Sequence, residues 1–359
     1  MPGVFTISLD FELHWGGFEK WELGNTKYVA RSTSKIPTTS NQQPATIYNQ
    51  YFLNTRKVIP QLLASFEQYK VHVTWATVGM LFHQSKEELF ENAPSLKPSY
   101  LNRKLSAYNY IDQLGIGENE QEDPFHFAPS LIRQIVGTPH QEIGTHTFAH
   151  YYCNEAGQTV EQFSADLQAA QRVAKQYGCA LKSLVFPRNQ FNDQYLKACY
   201  AEGITSVRSN PLDWFWHIES TQDESRWKRF NRGMDAYFPI GKKNSFEISS
   251  LEVRDDFPVC IPASRLLRPY RSKEFFLNKI KMSRIKSEMT RAAQQNEVYH
   301  LWWHPHNFGH YPHENMEALQ QILNHFKYLN NKYGMESYSM SEIADLIRGS
   351  EKSIQRTGS

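Results

Sequence analysis

An α/β architecture of parallel strands is the fold class this sequence predicts, and three observations carry the prediction. Short apolar or β-branched runs alternate with stretches of helical periodicity. The clearest helices stop at Gly178 and Gly334, and polar residues cluster just beyond several strand-like runs. At 359 residues the chain could hold two average domains, but one α/β barrel with insertions fits equally well. The organisation adopted is a single barrel over residues 1–348 with a flexible polar tail over 349–359. Insertions are expected near 27–50, 83–123 and 215–296.

The elements follow in order. Val4 to Leu9 reads as the first strand. Leu53 to Tyr69 carries Ile59, Leu62, Leu63 and Phe66 at helical spacing, and the β-branched run from Val71 to Gly79 follows as a strand. Thr159 and Gln162 form a predicted capping box. Behind it Phe163, Leu167, Ala170, Val173, Ala174 and Tyr177 share one helical face, ended by Gly178. Leu181 to Phe186 is the next strand, Asn192 to Gly203 a helix and Ile204 to Val207 a further strand. Met316 to Tyr333 is a strongly amphipathic helix. In such folds the chemistry gathers at the C-terminal ends of the strands. Asp10, His146, His150, Arg188 and His304 all lie at or just after such ends.

Composition narrows the classes. Apolar residues make up 40% of the chain, ample for a large core, and the net charge of +2 gives no argument for nucleic acid. No stretch approaches the roughly 20 apolar residues that cross a bilayer, so no transmembrane segment is expected. No secretory signal is visible before the first strand, and none is expected. Cys153, Cys179, Cys199 and Cys260 are widely separated, which suits neither a disulfide framework nor a thiolate zinc site. A reduced, cytoplasmic protein is the expectation.

The segment Glu142-Ile143-Gly144-Thr145-His146-Thr147-Phe148-Ala149-His150 sets two histidines four residues apart. If it coils through one turn, both imidazoles lie on one side and can share a metal. Alone, such a pair is more often surface or core. A carboxylate to complete it is available in Ser8-Leu9-Asp10-Phe11-Glu12.

These pieces resemble the motifs of the polysaccharide deacetylase (NodB-homology) family, carbohydrate esterase family four. His146-Thr147-Phe148-Ala149-His150 matches the family's His-(Ser/Thr)-x-x-His in full, and Leu301-Trp302-Trp303-His304 matches Leu-x-x-His. Asn210-Pro211-Leu212-Asp213-Trp214 is close to Asp-x-x-Asp-Trp, and Val73-Thr74-Trp75-Ala76-Thr77 resembles the strand run before the histidines. Phe186-Pro187-Arg188-Asn189-Gln190 follows the arginine motif loosely. The first motif departs: the usual adjacent aspartates are replaced by Asp10 and Glu12, one residue further apart.

The resemblance implies a deformed (β/α) barrel and a hydrolase that removes an acyl group, mostly N-acetyl, from a sugar with a divalent metal, zinc foremost. It implies His146, His150 and Glu12 as ligands, with Asp10 as the base. The swapped assignment of Asp10 and Glu12 stays open, because residues two apart in a strand point the same way. By the same resemblance His304 protonates the leaving amine, Asp213 holds it charged, and Arg188 orients the catalytic carboxylate. Trp214, Asn189 and Trp303 are expected to line the substrate pocket. His14 is a further pocket candidate, and His300 and His306 are read as structural rather than as a second metal site.

Alternatives are hydrolysis of another C–N bond, a formamide or cyclic ureide, or a catalytically silent glycan-binding barrel. The stretch from Arg265 to Arg291 is basic and amphipathic. By default it is a solvated helix face; the sharper reading is contact with a phosphate or a peripheral membrane surface. The expected substrate is therefore an N-acylated sugar of surface-polysaccharide biosynthesis, linked to a nucleotide or lipid phosphate. The oligomeric state is not legible.

Overall fold

The structure, a computed structural model, describes residues 1–23, 44–211, 213–216, 225–238, 240–241 and 244–357. Among them nine strands form one parallel sheet. They are β1 (Val4–Phe11), β2 (Val73–Thr77), β3 (Gln141–Thr145), β4 (Ser183–Leu184), β5 (Ser206–Ser209), β6 (Val259–Pro262), β7 (Arg265–Leu266), β8 (Val298–Trp303) and β9 (Glu336–Ser337). The spatial order is β6-β5-β4-β3-β2-β1-β8-β7, with β9 on the start of β1. The sheet curls into a half-barrel, the deformed (β/α) form expected.

The helices are α1 (Pro44–Tyr69), α2 (Lys86–Asn92), α3 (Ala107–Leu114), α4 (Pro129–Gly137), α5 (Val160–Gln176), α6 (Asp193–Ala201), α7 (Arg226–Asp235), α8 (Phe275–Gln295), α9 (Pro312–Tyr333) and α10 (Met340–Thr357). The Thr159/Gln162 capping box is formed at α5, and α9 ends at Gly334 in the left-handed conformation. None of the described helices is long and apolar enough to cross a membrane.

The strands of the sheet have two different faces. Along β1, Phe5, Ile7, Leu9 and Phe11 join the main hydrophobic core, while Thr6, Ser8 and Asp10 alternate with them on the opposite face. That inner face is buried yet polar, so its groups must bond to each other. Glu142 accepts from Thr74 (2.7 Å) and Ser183, Ser183 meets Ser206 at 2.7 Å, and His300 Nε2 meets Ser8 at 2.8 Å. The polar lining leads from this network to the acids at the end of β1.

Several boundaries differ from the sequence reading. β4 covers only Ser183–Leu184, although Val185 N–H still donates to the Thr145 carbonyl, and the chain turns at Pro187. β5 runs Ser206–Ser209 rather than Ile204–Val207, which brings Arg208 into the sheet. The region 215–296 is more than an insertion: β6 pairs with β5, and β7 pairs with β8. The stretch 83–123 holds α2 and α3. Of 27–50, residues 27–43 lie outside the described residues and the rest begins α1. The backbone of α10 continues past residue 349 to Thr357.

Candidate metal centre and cleft

Glu12, His146 and His150 converge at the C-terminal ends of β1 and β3. Each offers a ligand atom within 4.8 Å of the others, and all three side chains are buried. Glu12 Oε2 lies 3.2 Å from His146 Nε2 and 3.1 Å from His150 Nε2. Asp10 is not in this group. Its neighbour is Arg208, which bonds Oδ1 at 2.6 Å and Oδ2 at 2.8 Å. β1 ends at Phe11, and the turn at Glu12 keeps both acids on the inner side.

The histidine segment is not the helical turn that its spacing suggested. After β3 the chain passes through an irregular loop in which Thr147 and His150 both have positive φ, 64° and 54°. Such values are costly for a β-branched residue and persist only where surroundings over-determine them. Here Asp166 of α5 accepts from the backbone N–H of Phe148 (2.6 Å) and Ala149 (3.1 Å), and Thr147 Oγ1 accepts from Tyr151 N–H (2.6 Å).

The hydrogen bonds on the outer side of each imidazole decide what the inner side can do. His146 Nδ1 lies 2.7 Å from the Val185 carbonyl, which only accepts, so the Nδ1 proton points outward. His150 Nδ1 meets Tyr152 Oη at 3.0 Å, and that hydroxyl already donates to Glu19. Both Nε2 atoms therefore turn inward on Glu12. Whatever lies between them and the carboxylate must be positive, either protons or a metal ion in their place. Two imidazoles fixed through Nδ1 and a buried carboxylate are a donor set that fits a divalent metal.

Electrostatics support an ionised pair of acids. Burial alone would raise both carboxyls. For Asp10 the Arg208 charge and then His304 outweigh it and hold the group below its ordinary range. For Glu12 the His304 charge and hydrogen bonds with His146 and His150 do the same, more strongly. Burial pushes the His150 imidazole down, against the pull of Glu12.

The other predicted residues divide. His304 stands at the mouth, its Nε2 3.5 Å from both Asp10 Oδ2 and Glu12 Oε1. Asn189 is beside the acids, its Oδ1 accepting from Arg208 at 3.2 Å. Arg188 does not take the place expected for it. It pairs with Glu19 and, at 3.5 Å, with Glu155, and it covers the Tyr152 ring. Arg208 holds Asp10 instead, because β5 continues two residues past Ser206 on the same inner face.

Trp303 is likewise misassigned: it faces the helices, fully buried against Phe66 and Phe308. Strand alternation gives the inner position to Trp302, whose ring lies 4.2 Å from the Arg208 guanidinium. Trp214 is 56% exposed and packs on Phe215, so it walls no buried pocket. Asp213 is buried against Gly241, while His304 faces Asp10 and Glu12.

His14 is no pocket residue, for its two nitrogens meet His126 at 2.9 Å and the Trp21 carbonyl at 2.7 Å. His300 is tied into the inner network. His306 packs on Trp21 and Phe52, with Nδ1 3.8 Å from Glu12 Oε1. Burial and then His304 push its imidazole down to about 3.

Arg208 and Asp166 are the residues that the sequence reading missed. Each left a signal: a charged residue in a run of β-type residues, and a carboxylate on the apolar face of α5.

A cleft of about 390 Å³ opens on this centre. Glu12, His304 and His306 line it together with Arg268, Arg271, Glu274 and Lys281.

Comparison with known proteins bears on the fold and on residues 44–207. Residues 44–207 match the family model for polysaccharide deacetylase. That segment contains His146, His150 and Arg188, but it begins after Asp10 and Glu12. A search of the curated proteins finds no match. Among solved structures, a protein from Mycobacterium smegmatis assigned as a polysaccharide deacetylase is similar with a TM-score of 0.54. Identity is 13%, over 98% of this chain and 92% of that one. A protein from Pseudomonas aeruginosa PAO1 with the same assignment has a TM-score of 0.51 at 11% identity, over 95% and 88% of the two chains. The GH57-type branching enzyme of Pyrococcus horikoshii also shares the fold, with a TM-score of 0.51 at 11% identity, over 96% and 70%. At such identities the structures speak for the barrel alone. Residues 44–207 are thus similar to a polysaccharide deacetylase domain, and the barrel in which they lie is the fold these structures share.

Proposed function

We propose that the protein is a metal-dependent hydrolase that removes an N-acyl group, acetyl first, from a sugar. The convergence of Glu12, His146 and His150 beside the ionised Asp10 carries this reading. A divalent ion, zinc by preference, held by those three residues would polarise the acyl carbonyl and lower the pKa of a water.

The chain's own residues do the rest. Asp10 accepts the proton of the attacking water, and Arg208 keeps its carboxylate ionised and aimed. His304, partly exposed at the mouth, gives a proton to the departing amine. The inner network behind Ser8 excludes water from the back of the site. One catalytic barrel over 1–348 suffices for this chemistry. Four free cysteines, two of them buried, fit a reducing cytoplasmic setting and a biosynthetic intermediate as substrate.

The test is acetate release from a panel of N-acetyl sugars, with metal content measured alongside in wild type and His146→Ala. Stoichiometric metal and turnover are expected in wild type, and loss of both in the variant. Full activity with retained metal in His146→Ala would sink the assignment. Formate or ureide products in place of acetate would move the reaction to another C–N bond.

A further inference from the structure

The basic stretch from Arg265 to Arg291 does not behave as one surface. Arg265 bonds Glu288 through two nitrogens at 2.6 Å each and reaches Asp235 at 3.3 Å. Arg284 meets the same two carboxylates at 3.0 Å each. These cations are neutralised within the fold.

Arg268 and Lys281 are not. Arg268 donates to the Arg232 carbonyl at 2.8 Å, and Lys281 donates to the Pro269 carbonyl at 3.0 Å. Among the described residues neither has a carboxylate within ion-pairing distance. Lys281 is only 7% exposed, and burial pushes its ammonium down to about 8, a sign of a charge short of compensation. Glu274, which also lines the cleft, is bonded to Arg271 at 3.1 Å and to the Tyr237 hydroxyl at 2.7 Å, and its charge acts on Lys281 and Arg268 only from beyond ion-pairing distance. A buried ammonium whose hydrogen-bond partner is a neutral carbonyl is costly, and Lys281, with the half-buried Arg268, lines the cleft that holds Glu12 and His304.

We infer that Arg268 and Lys281 form a subsite for a phosphate-class anion carried by the substrate, in the same cleft as Glu12 and His304. This deepens the deacylation reading and rests on it for the identity of the sugar. Arg268 supplies a planar fork suited to two phosphate oxygens, and Lys281 a point charge beside it. Arg271, at the rim and engaged by Glu274, contributes only a screened attraction. The phosphate could be that of a soluble sugar nucleotide or of a lipid carrier. Phe275 and Phe276, exposed at the start of α8, make the second source worth a separate arm.

The full-length protein is titrated by calorimetry with N-acetylglucosamine, its 1-phosphate and its uridine diphosphate derivative. In parallel it is sedimented with phosphatidylcholine vesicles, with and without an isoprenyl phosphate. At least one phosphate-bearing probe is expected to bind more tightly than its neutral counterpart. Arg268→Gln and Lys281→Gln should each weaken that binding roughly tenfold, the loss of one charge-assisted contact. Lys286→Gln, outside the cleft, should leave it unchanged. Binding of the soluble phosphates assigns the anion to a nucleotide, and sedimentation only with isoprenyl phosphate assigns it to a lipid. Melting curves establish that each variant is folded, and Arg268→Lys should recover part of the affinity. Equal binding of neutral and phosphorylated probes, or no change in either Gln variant, overturns the subsite. Acetate release from neutral sugars alone would do so while leaving deacylation standing. Phosphate binding without any acetate release would keep the subsite and remove the deacylation reading.

Discussion

Arg208 and Asp10 form a two-point ion pair in the interior of the barrel, 2.6 and 2.8 Å between facing atoms, with both side chains almost fully buried. Ser8 and Asn189 bond the same guanidinium, at 3.1 and 3.2 Å, and Trp302 lies over it. Removing one member leaves the other charged and dry. Arg208→Leu should therefore cost about 3–5 kcal/mol of folding stability. Arg208→Lys should keep the charge but lose the second contact, with a smaller cost and a marked fall in kcat. Denaturant titration and acetate release on both variants check this. A stable, fully active Arg208→Leu would remove Arg208 from the site.

Gly16 permits the position of Glu12. A β-carbon on Gly16 would fall on the Glu12 carboxylate itself. Gly16→Ala is expected to displace that group and abolish tight metal binding while the barrel still folds, because the clash is with one side chain and not with the sheet. Metal content after dialysis, with circular dichroism as the control for folding, measures the outcome. Retention of stoichiometric metal would mean that Glu12 is not a ligand.

The outline of this site was legible because its parts are local. The His146–His150 spacing, the capping box at Thr159 and the stop at Gly334 are each set within a few residues. What escaped depends on which face a strand presents. Reading β5 as ending at Val207 hid Arg208, and reading the Leu301–His304 motif without alternation chose Trp303 over Trp302. A one-residue error along a strand exchanges inside for outside. The loop around Thr147 was illegible for another reason: its strained backbone is held by Asp166, which is distant in sequence.

Arg188 and Arg208 make opposite predictions. Arg188 is tied to Glu19 and Glu155, covers the Tyr152 ring, and reaches His150 through Tyr152. Arg188→Ala is therefore expected to loosen the Tyr152 support, raising the metal dissociation constant several-fold, with kcat at saturating metal nearly unchanged. The kcat of Arg208→Lys should fall whatever the metal concentration. If Arg188→Ala instead lost kcat at saturating metal, the orienting role would return to Arg188.

Asp166 sets a pH dependence that runs against that of Asp10 and Glu12. Burial raises its carboxyl to about 7, although the Phe148 and Ala149 N–H groups pull it down. In the unfolded chain it titrates near 3.8. Between these values the folded state binds the proton and the unfolded state does not, so this group's contribution falls as pH rises from about 4 to about 7. Asp10 and Glu12 have the opposite sign: their folded values are depressed, so their contribution is present above the unfolded values and lost as pH falls. Asp166→Asn removes the titration, and its amide oxygen can still accept one backbone N–H. Relative to wild type, the variant should therefore gain stability steadily across pH 4 to 7. Denaturant midpoints at half-unit pH steps read the difference directly. A difference that stays flat through this window would mean that the Asp166 carboxylate is already ionised beneath the histidine loop, stabilised by its two N–H bonds.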